Sequence, residues 1–188
     1  MTMGNRGVTL IEMLIAMVIL GIMGIALVGF LRAQHQTVLR QNDGVLATQN
    51  ARAAIDMLAR DLRNAGFNPR GSASGGALTT IEADSISWTA DLDLDGDTLS
   101  SSTSWDERVA YYQEARKLTR ASSGGGGTAV TDNVDSLRFT YFDGDGATTA
   151  DPALVEQVRI RLYYSTPDGV QSGVIESQVA LRNNIYAN

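Results

Sequence analysis

From Val8 to Leu31 the chain reads VTLIEMLIAMVILGIMGIALVGFL, apolar throughout except for Thr9 and Glu12. A run of that length matches the roughly twenty residues a helix needs to cross the hydrocarbon of a bilayer. Beyond Leu31 the composition turns to Gln, Asn, Arg and Ala, with no proline until Pro69, so the helix is expected to continue as an amphipathic rod. Ala51, Ala54, Ile55, Leu58, Leu62 and Ala65 recur at spacings of three and four and mark the face that lies on a sheet, while Arg52, Asp56, Arg60 and Arg63 point outward. Gly66, followed by Pro69, reads as the terminator. Taken as one helix, Thr9 to Ala65 would extend on the order of 85 Å.

After Phe67 the period changes. Short β-rich runs cover Ser85 to Thr89, Arg108 to Gln113, Arg116 to Arg120, Leu137 to Phe142, Val155 to Ser165 and Val174 to Leu181. In one of them Val158, Ile160, Leu162 and Tyr164 alternate with Arg159, Arg161 and Tyr163. The turn formers Asp143-Gly144, Asp145-Gly146 and Pro167-Asp168-Gly169 separate the runs, which favours antiparallel hairpins over helical crossovers. The fold class is therefore α+β: a long N-terminal α-helix, membrane half plus amphipathic half, packed on an antiparallel β-sheet. Gly-rich Ser122 to Gly127 reads as a mobile loop, and no Lys-Ser or Lys-Thr follows it to make a phosphate cradle.

Composition narrows the function classes. A net charge of −6 and the absence of any basic run argue against a partner that is nucleic acid, since tracking phosphates requires clustered Lys and Arg. Without Cys there is no disulfide framework, thiol nucleophile or thiolate metal site. The apolar run is no secretory signal peptide, because Arg6 and the small Gly7 precede it rather than follow it. Glu12 stands out: a carboxylate inside an apolar span costs several kcal/mol without a partner, and the span offers no Lys or Arg. Gly21 and Gly24 lie near one face, where they would permit close helix approach.

Arg6-Gly7-Val8-Thr9-Leu10-Ile11-Glu12 resembles the prepilin cleavage and methylation motif: a basic residue and Gly, then a hydrophobic residue, Thr, Leu, an aliphatic and Glu. Val8 stands where that family usually has Phe or Met. The resemblance implies that a membrane-embedded prepilin peptidase cuts after Gly7 on the cytoplasmic side and methylates the new amine of Val8, and that Glu12 attracts that amine during subunit docking. Arg6 ahead of the span agrees with this orientation. The segment from Ala51 to Phe67, ending Asp61-Leu62-Arg63-Asn64-Ala65-Gly66-Phe67, resembles PilW-type minor pilins, and J-type minor pseudopilins share its earlier part. The organisation implied is a leader peptide at 1–7, a transmembrane and filament-core helix at 8–31, its amphipathic continuation at 32–67, and a β-rich head at 68–188.

Asp91-Leu92-Asp93-Leu94-Asp95-Gly96-Asp97 sets carboxylates on alternate residues around a turn-forming glycine, which is how a loop wraps a hard cation such as calcium in oxygen. Ser102 stands where an EF-hand would close with Glu, leaving Asp106 or Glu107 to complete the shell, and no helices flank the loop. A calcium site and a solvated acidic turn both fit these residues. Asp143, Asp145 and Asp151 read as hairpin chemistry. The sole histidine, His35, has no carboxylate at a useful spacing and reads as solvent-facing. No Ser-His-Asp set, zinc spacing or dinucleotide fingerprint is present, so no enzymatic activity is expected.

The function expected from these residues and their resemblance is a minor pilin-like subunit that primes or caps a type IV pilus. Its partners would be the peptidase, other major and minor pilins or pseudopilins, and the bacterial inner membrane, crossed once with the head in the periplasm before incorporation into the filament. A minor pseudopilin of type II secretion is the first alternative. An uncut, membrane-anchored calcium-dependent adhesin is the second.

Overall fold

The computed structural model describes residues 8–69, 78–91, 107–122 and 126–182. The helix α1 runs Leu10–Leu62, and the chain divides into two compact units, one up to Asp43 and one from Gly44 onward.

The described part of the first unit is helical from Leu10, and every described side chain in it is exposed. Ile11, Met17, Leu20, Ile22 and Ile25 each keep more than 60% of their surface open. Nothing lies within 4 Å of where a Cβ would stand on Gly21 or Gly24. An apolar surface this continuous is not built for water, and the helix is long and apolar enough to cross a membrane.

In the second unit α1 buries the face its periodicity predicts. Ala51, Ala54, Ile55, Leu58 and Leu62 are at most 2% exposed, as is Ala65 just beyond the helix. The helix stops three residues earlier than expected. Asn64 N donates to Asp61 O and Ala65 N to Leu62 O, so the last turn tightens into i, i−3 bonding. Gly66 then takes φ 70°, the left-handed conformation that glycine adopts at least cost, and its N–H donates to Thr89 O at 2.8 Å.

Eight strands follow among the described residues: β1 Leu78–Ile81, β2 Ser85–Thr89, β3 Arg108–Glu114, β4 Lys117–Ser122, β5 Thr128–Asp132, β6 Val134–Phe142, β7 Gln157–Ser165 and β8 Ser172–Ala180. They form two antiparallel sheets instead of the single one expected, ordered β1-β2-β3-β4-β5 and β6-β7-β8. Inward residues of both sheets share one apolar core with the helix, centred on Trp88, Tyr111, Leu118, Leu137, Ile160 and Leu162. Trp88 and Tyr111 stack with ring centroids 5.8 Å apart. β1 and β5 are additions to the strands expected from sequence: β1 has four residues with only Leu78 buried, and β5 buries none. Arg116, read as the start of a strand, instead shares a two-residue turn with Ala115, both with positive φ, the geometry that suits a tight hairpin.

Polar contacts fix the sheets to the helix and to each other. Asp61 Oδ2 accepts from Tyr111 Oη and from Arg120 Nε, each at 2.8 Å, tying α1 to β3 and β4. Thr48 Oγ1 and Tyr164 Oη, 2.9 Å apart, do the same for β7. Arg116 reaches across to Asp135 Oδ1 at 2.9 Å and Ser165 Oγ at 2.7 Å. Tyr141 Oη donates to the carbonyls of Glu82 and Ser85 at the β1–β2 turn.

Two of these ties generate predictions. A Cβ added to Gly173 would sit 2.6 Å from Tyr164 Oη and 2.8 Å from Cζ, a rigid ring that cannot yield without leaving Thr48. Gly173→Ala is expected to destabilise the domain by about 1–3 kcal/mol in a denaturant titration; unchanged stability would show that the ring moves at no cost.

Burial raises the phenol pKa of Tyr111, with the Asp61 carboxylate adding to the effect, and burial likewise raises that of Tyr141. The unfolded chain loses these protons near pH 10 while the folded chain keeps them. Stability is therefore intact below about pH 10 and falls above it, at up to about 1.4 kcal/mol per pH unit for each tyrosine. Melting temperatures measured across this range should decline, and Tyr111→Phe should flatten the slope; an equal slope in that variant removes Tyr111 from the account.

Candidate functional site

The start of α1 is organised by Thr9 and Glu12. Thr9 O accepts from the N–H groups of Glu12 at 3.1 Å and Met13 at 3.2 Å, which makes Thr9 the N-cap. Glu12 turns back, so that its Oε2 lies 3.4 Å from both Thr9 N and Thr9 Oγ1. Thr9-x-x-Glu12 is thus the reciprocal half of a capping box, a signal present in the sequence but not read there. A carboxylate in the first turn also faces the positive end of the helix dipole.

This arrangement bears directly on the residues expected to carry processing and assembly. Val8 is described and 75% exposed, open to another molecule. Gly7 lies outside the described residues. In the uncut chain Val8 N is an amide, so Glu12 has no amine to pair with and satisfies itself on the backbone one residue further along. Once a free amine exists at Val8, a cation stands one residue from the group that Glu12 already contacts. The first turn thus holds the Glu12 carboxylate against Thr9, the residue next to Val8.

Of the expected calcium ligands, Asp91 is described, and Asp93, Asp95 and Asp97 lie outside the described residues, as does Asp106. Asp91 is 1% exposed and Glu107 3%. Ala90 N donates to Glu107 O and joins the two ends of the intervening segment, while Asp91 N donates to Phe67 O and ties the first end to the chain just beyond α1. Buried carboxylates need compensation from hydrogen bonds or cations, and both residues have partners within the fold. Among the described residues no group of three or more His, Asp or Glu is arranged to hold a metal ion.

The second acidic loop is hairpin chemistry, as its sequence suggests. Asp143 Oδ1 accepts from Asp145 N at 3.1 Å and Ala147 N at 2.8 Å, and Gly146 adopts φ 80°. Asp151 Oδ1 caps the 3-10 turn Pro152–Leu154 by accepting from Ala153 N. His35 is exposed on α1.

Residues 2–28 match the family model of the prokaryotic N-terminal methylation motif, a stretch that contains Gly7, Val8 and Glu12. No curated protein matches the chain. The motif supports a type IV pilin-like or pseudopilin subunit, processed by prepilin peptidase and assembled with other pilins. Its apolar N-terminal helix fits membrane anchoring.

Proposed function

We propose that the chain is a minor pilin-like structural subunit, cut by prepilin peptidase between Gly7 and Val8 and assembled into a type IV pilus, where it primes or caps the filament. The observation that carries this reading is Glu12 held in the first turn of α1, whose apolar N-terminal part is exposed throughout, five positions from the proposed cut and within reach of the backbone next to Val8. The span is held by lipid until assembly exchanges lipid contacts for neighbouring helices. Glu12 then loses headgroup and water contacts and gains an amine. Desolvation offsets much of the Coulomb gain in such a pair, so its main contribution is register.

The segment Arg63-Asn64-Ala65-Gly66-Phe67, by its likeness to PilW-type minor pilins, favours the pilus over a type II secretion pseudopilus. In the same reading the head lies in the periplasm before incorporation, and the chain is structural, with no catalytic role.

Intact-mass and peptide mass spectrometry with and without the peptidase tests the cut. A start at Val8 that depends on the peptidase is expected; a chain that keeps residues 1 to 7 would favour an uncut anchored adhesin and remove the filament mechanism. Glu12→Gln separates the cap from the ion pair, because glutamine preserves the capping hydrogen bond without the charge. It should insert normally yet enter filaments about tenfold less, the change that ~1.4 kcal/mol of lost pairing produces. Normal incorporation of Glu12→Gln would sink the pairing role.

Calcium at Asp91, Asp93, Asp95 and Asp97 is part of the proposal, supported by carboxylates on alternate residues around the turn-forming Gly96. Calcium in excess of its dissociation constant should raise the melting temperature, by the equivalent of about 2.7 kcal/mol at a hundredfold excess. Asp93→Asn with Asp95→Asn should abolish the rise. The same melting temperature in calcium and in chelator would leave only an acidic turn.

A further inference from the structure

Alternation along β6 and β7 sends Leu137, Phe139, Val158, Ile160 and Leu162 into the core, so the intervening residues occupy the opposite face. On that face the register places Arg138 directly opposite Arg161, with Arg159 opposite Thr140 next along the ladder. Directly opposed side chains in an antiparallel pair are close neighbours, and like charges there are destabilising. A chain with net charge −6 therefore gathers three of its arginines, Arg138, Arg159 and Arg161, on one sheet face, two of them directly opposed.

Glu176 on β8 is the counter-charge, and it is shared. Its Oε2 receives Arg161 Nε at 2.5 Å and its Oε1 lies 3.4 Å from Arg159 Nε. Arg159 Cζ also lies over the Phe142 ring, 4.7 Å from its centroid. Arg138 is exposed and forms no ion pair among the described residues. Tyr163, 39% exposed, and Val174, 54% exposed, stand opposite each other on the same face.

We propose that this face of the β6-β7-β8 sheet docks an acidic protein partner, which places a carboxylate between Arg138 and Arg161. Arginine presents a planar fork that matches a carboxylate with two parallel hydrogen bonds. Arginine and exposed tyrosine beside an aliphatic side chain are the composition that protein interfaces favour. A nucleic acid suits the face less well, since the arginines form a compact cluster and not a track that follows a phosphate backbone. The inference is independent of whether the chain enters a filament.

Fluorescence anisotropy tests it, using the full chain in zwitterionic detergent micelles at low salt with a fluorescein-labelled oligoglutamate peptide as probe. Arg138→Ala is expected to weaken binding about fivefold, and Arg138→Glu to weaken it further. Arg52→Ala, which removes an exposed arginine from α1, should leave binding unchanged. The melting temperature of Arg138→Ala should equal or exceed the wild type, because the variant relieves a like-charge pair. Failure of the wild type to bind, equal losses in the Arg52 and Arg138 variants, or a lower melting temperature for Arg138→Ala would each overturn the proposal. Tighter binding of a short DNA duplex than of oligoglutamate at the same salt would overturn it in favour of nucleic acid.

Discussion

The apolar surface of residues 10–31 must be kept from water, and this one requirement sets the terms for everything else in the chain. No described residue of the first unit covers these side chains, so their burial depends on lipid or on other helices. Lipid and apolar helices are nearly equivalent solvents for Leu, Ile and Met. Exchange between them gains little from the hydrophobic effect and must be directed by packing and polar groups. The open spaces beside Gly21 and Gly24 supply sites for close approach, and Glu12 supplies the polar group. A helix of uniform apolar character would have no preferred depth or register. In the proposed assembly, one carboxylate at its first turn gives it both.

In the proposed assembly, that carboxylate has two partners in sequence. While the chain is intact, the N-cap of α1 absorbs it through Thr9, at 3.4 Å contacts that are long for a charged acceptor. A weak local bond suits a group that later exchanges partners, because a strong one would have to be broken first. The same spacing that starts the helix, Thr followed three residues on by Glu, also places the charge beside a future N-terminus. Local helix chemistry and the proposed assembly chemistry are thus served by the same residues.

Much of this was legible in the chain because it rests on short-range pattern. The buried stripe Ala51, Ala54, Ile55, Leu58, Leu62 and Ala65 follows from a 3.6-residue period, and its members are almost fully buried. β2 matches its expected range, and β7 follows from strict alternation of large side chains. Periodicity has little to say where a strand is short or exposed on both faces, which is why β1 and β5 were missed. The Ala115-Arg116 turn was misread because it lacks the Asn-Gly or Asp-Gly that usually signals positive φ. Arg116 holds that conformation through contacts to Asp135 and Ser165, and partners so far along the chain leave no local trace. Asp61 is a similar case, sitting among exposed helix charges in sequence yet bound to Tyr111 and Arg120 in the fold. At the N-terminus the motif was read for its chemistry, and its capping geometry went unread.

Those long-range polar ties explain how two separate sheets share one core without a continuous ladder between them. Apolar contact between sheets is non-directional and tolerates sliding, since one buried aliphatic side chain serves nearly as well as another. Tyr141 bonded to the Glu82 and Ser85 carbonyls, and Arg116 bonded to Asp135 and Ser165, do not tolerate it. A shift of one residue would break each and strand a partly buried polar group at a cost of about 1–3 kcal/mol. The apolar core supplies most of the drive to collapse, and these few polar contacts select which collapsed arrangement forms. The same division of labour then holds at both scales in this protein: burial of apolar surface drives association, and single charged or hydroxyl groups decide its register.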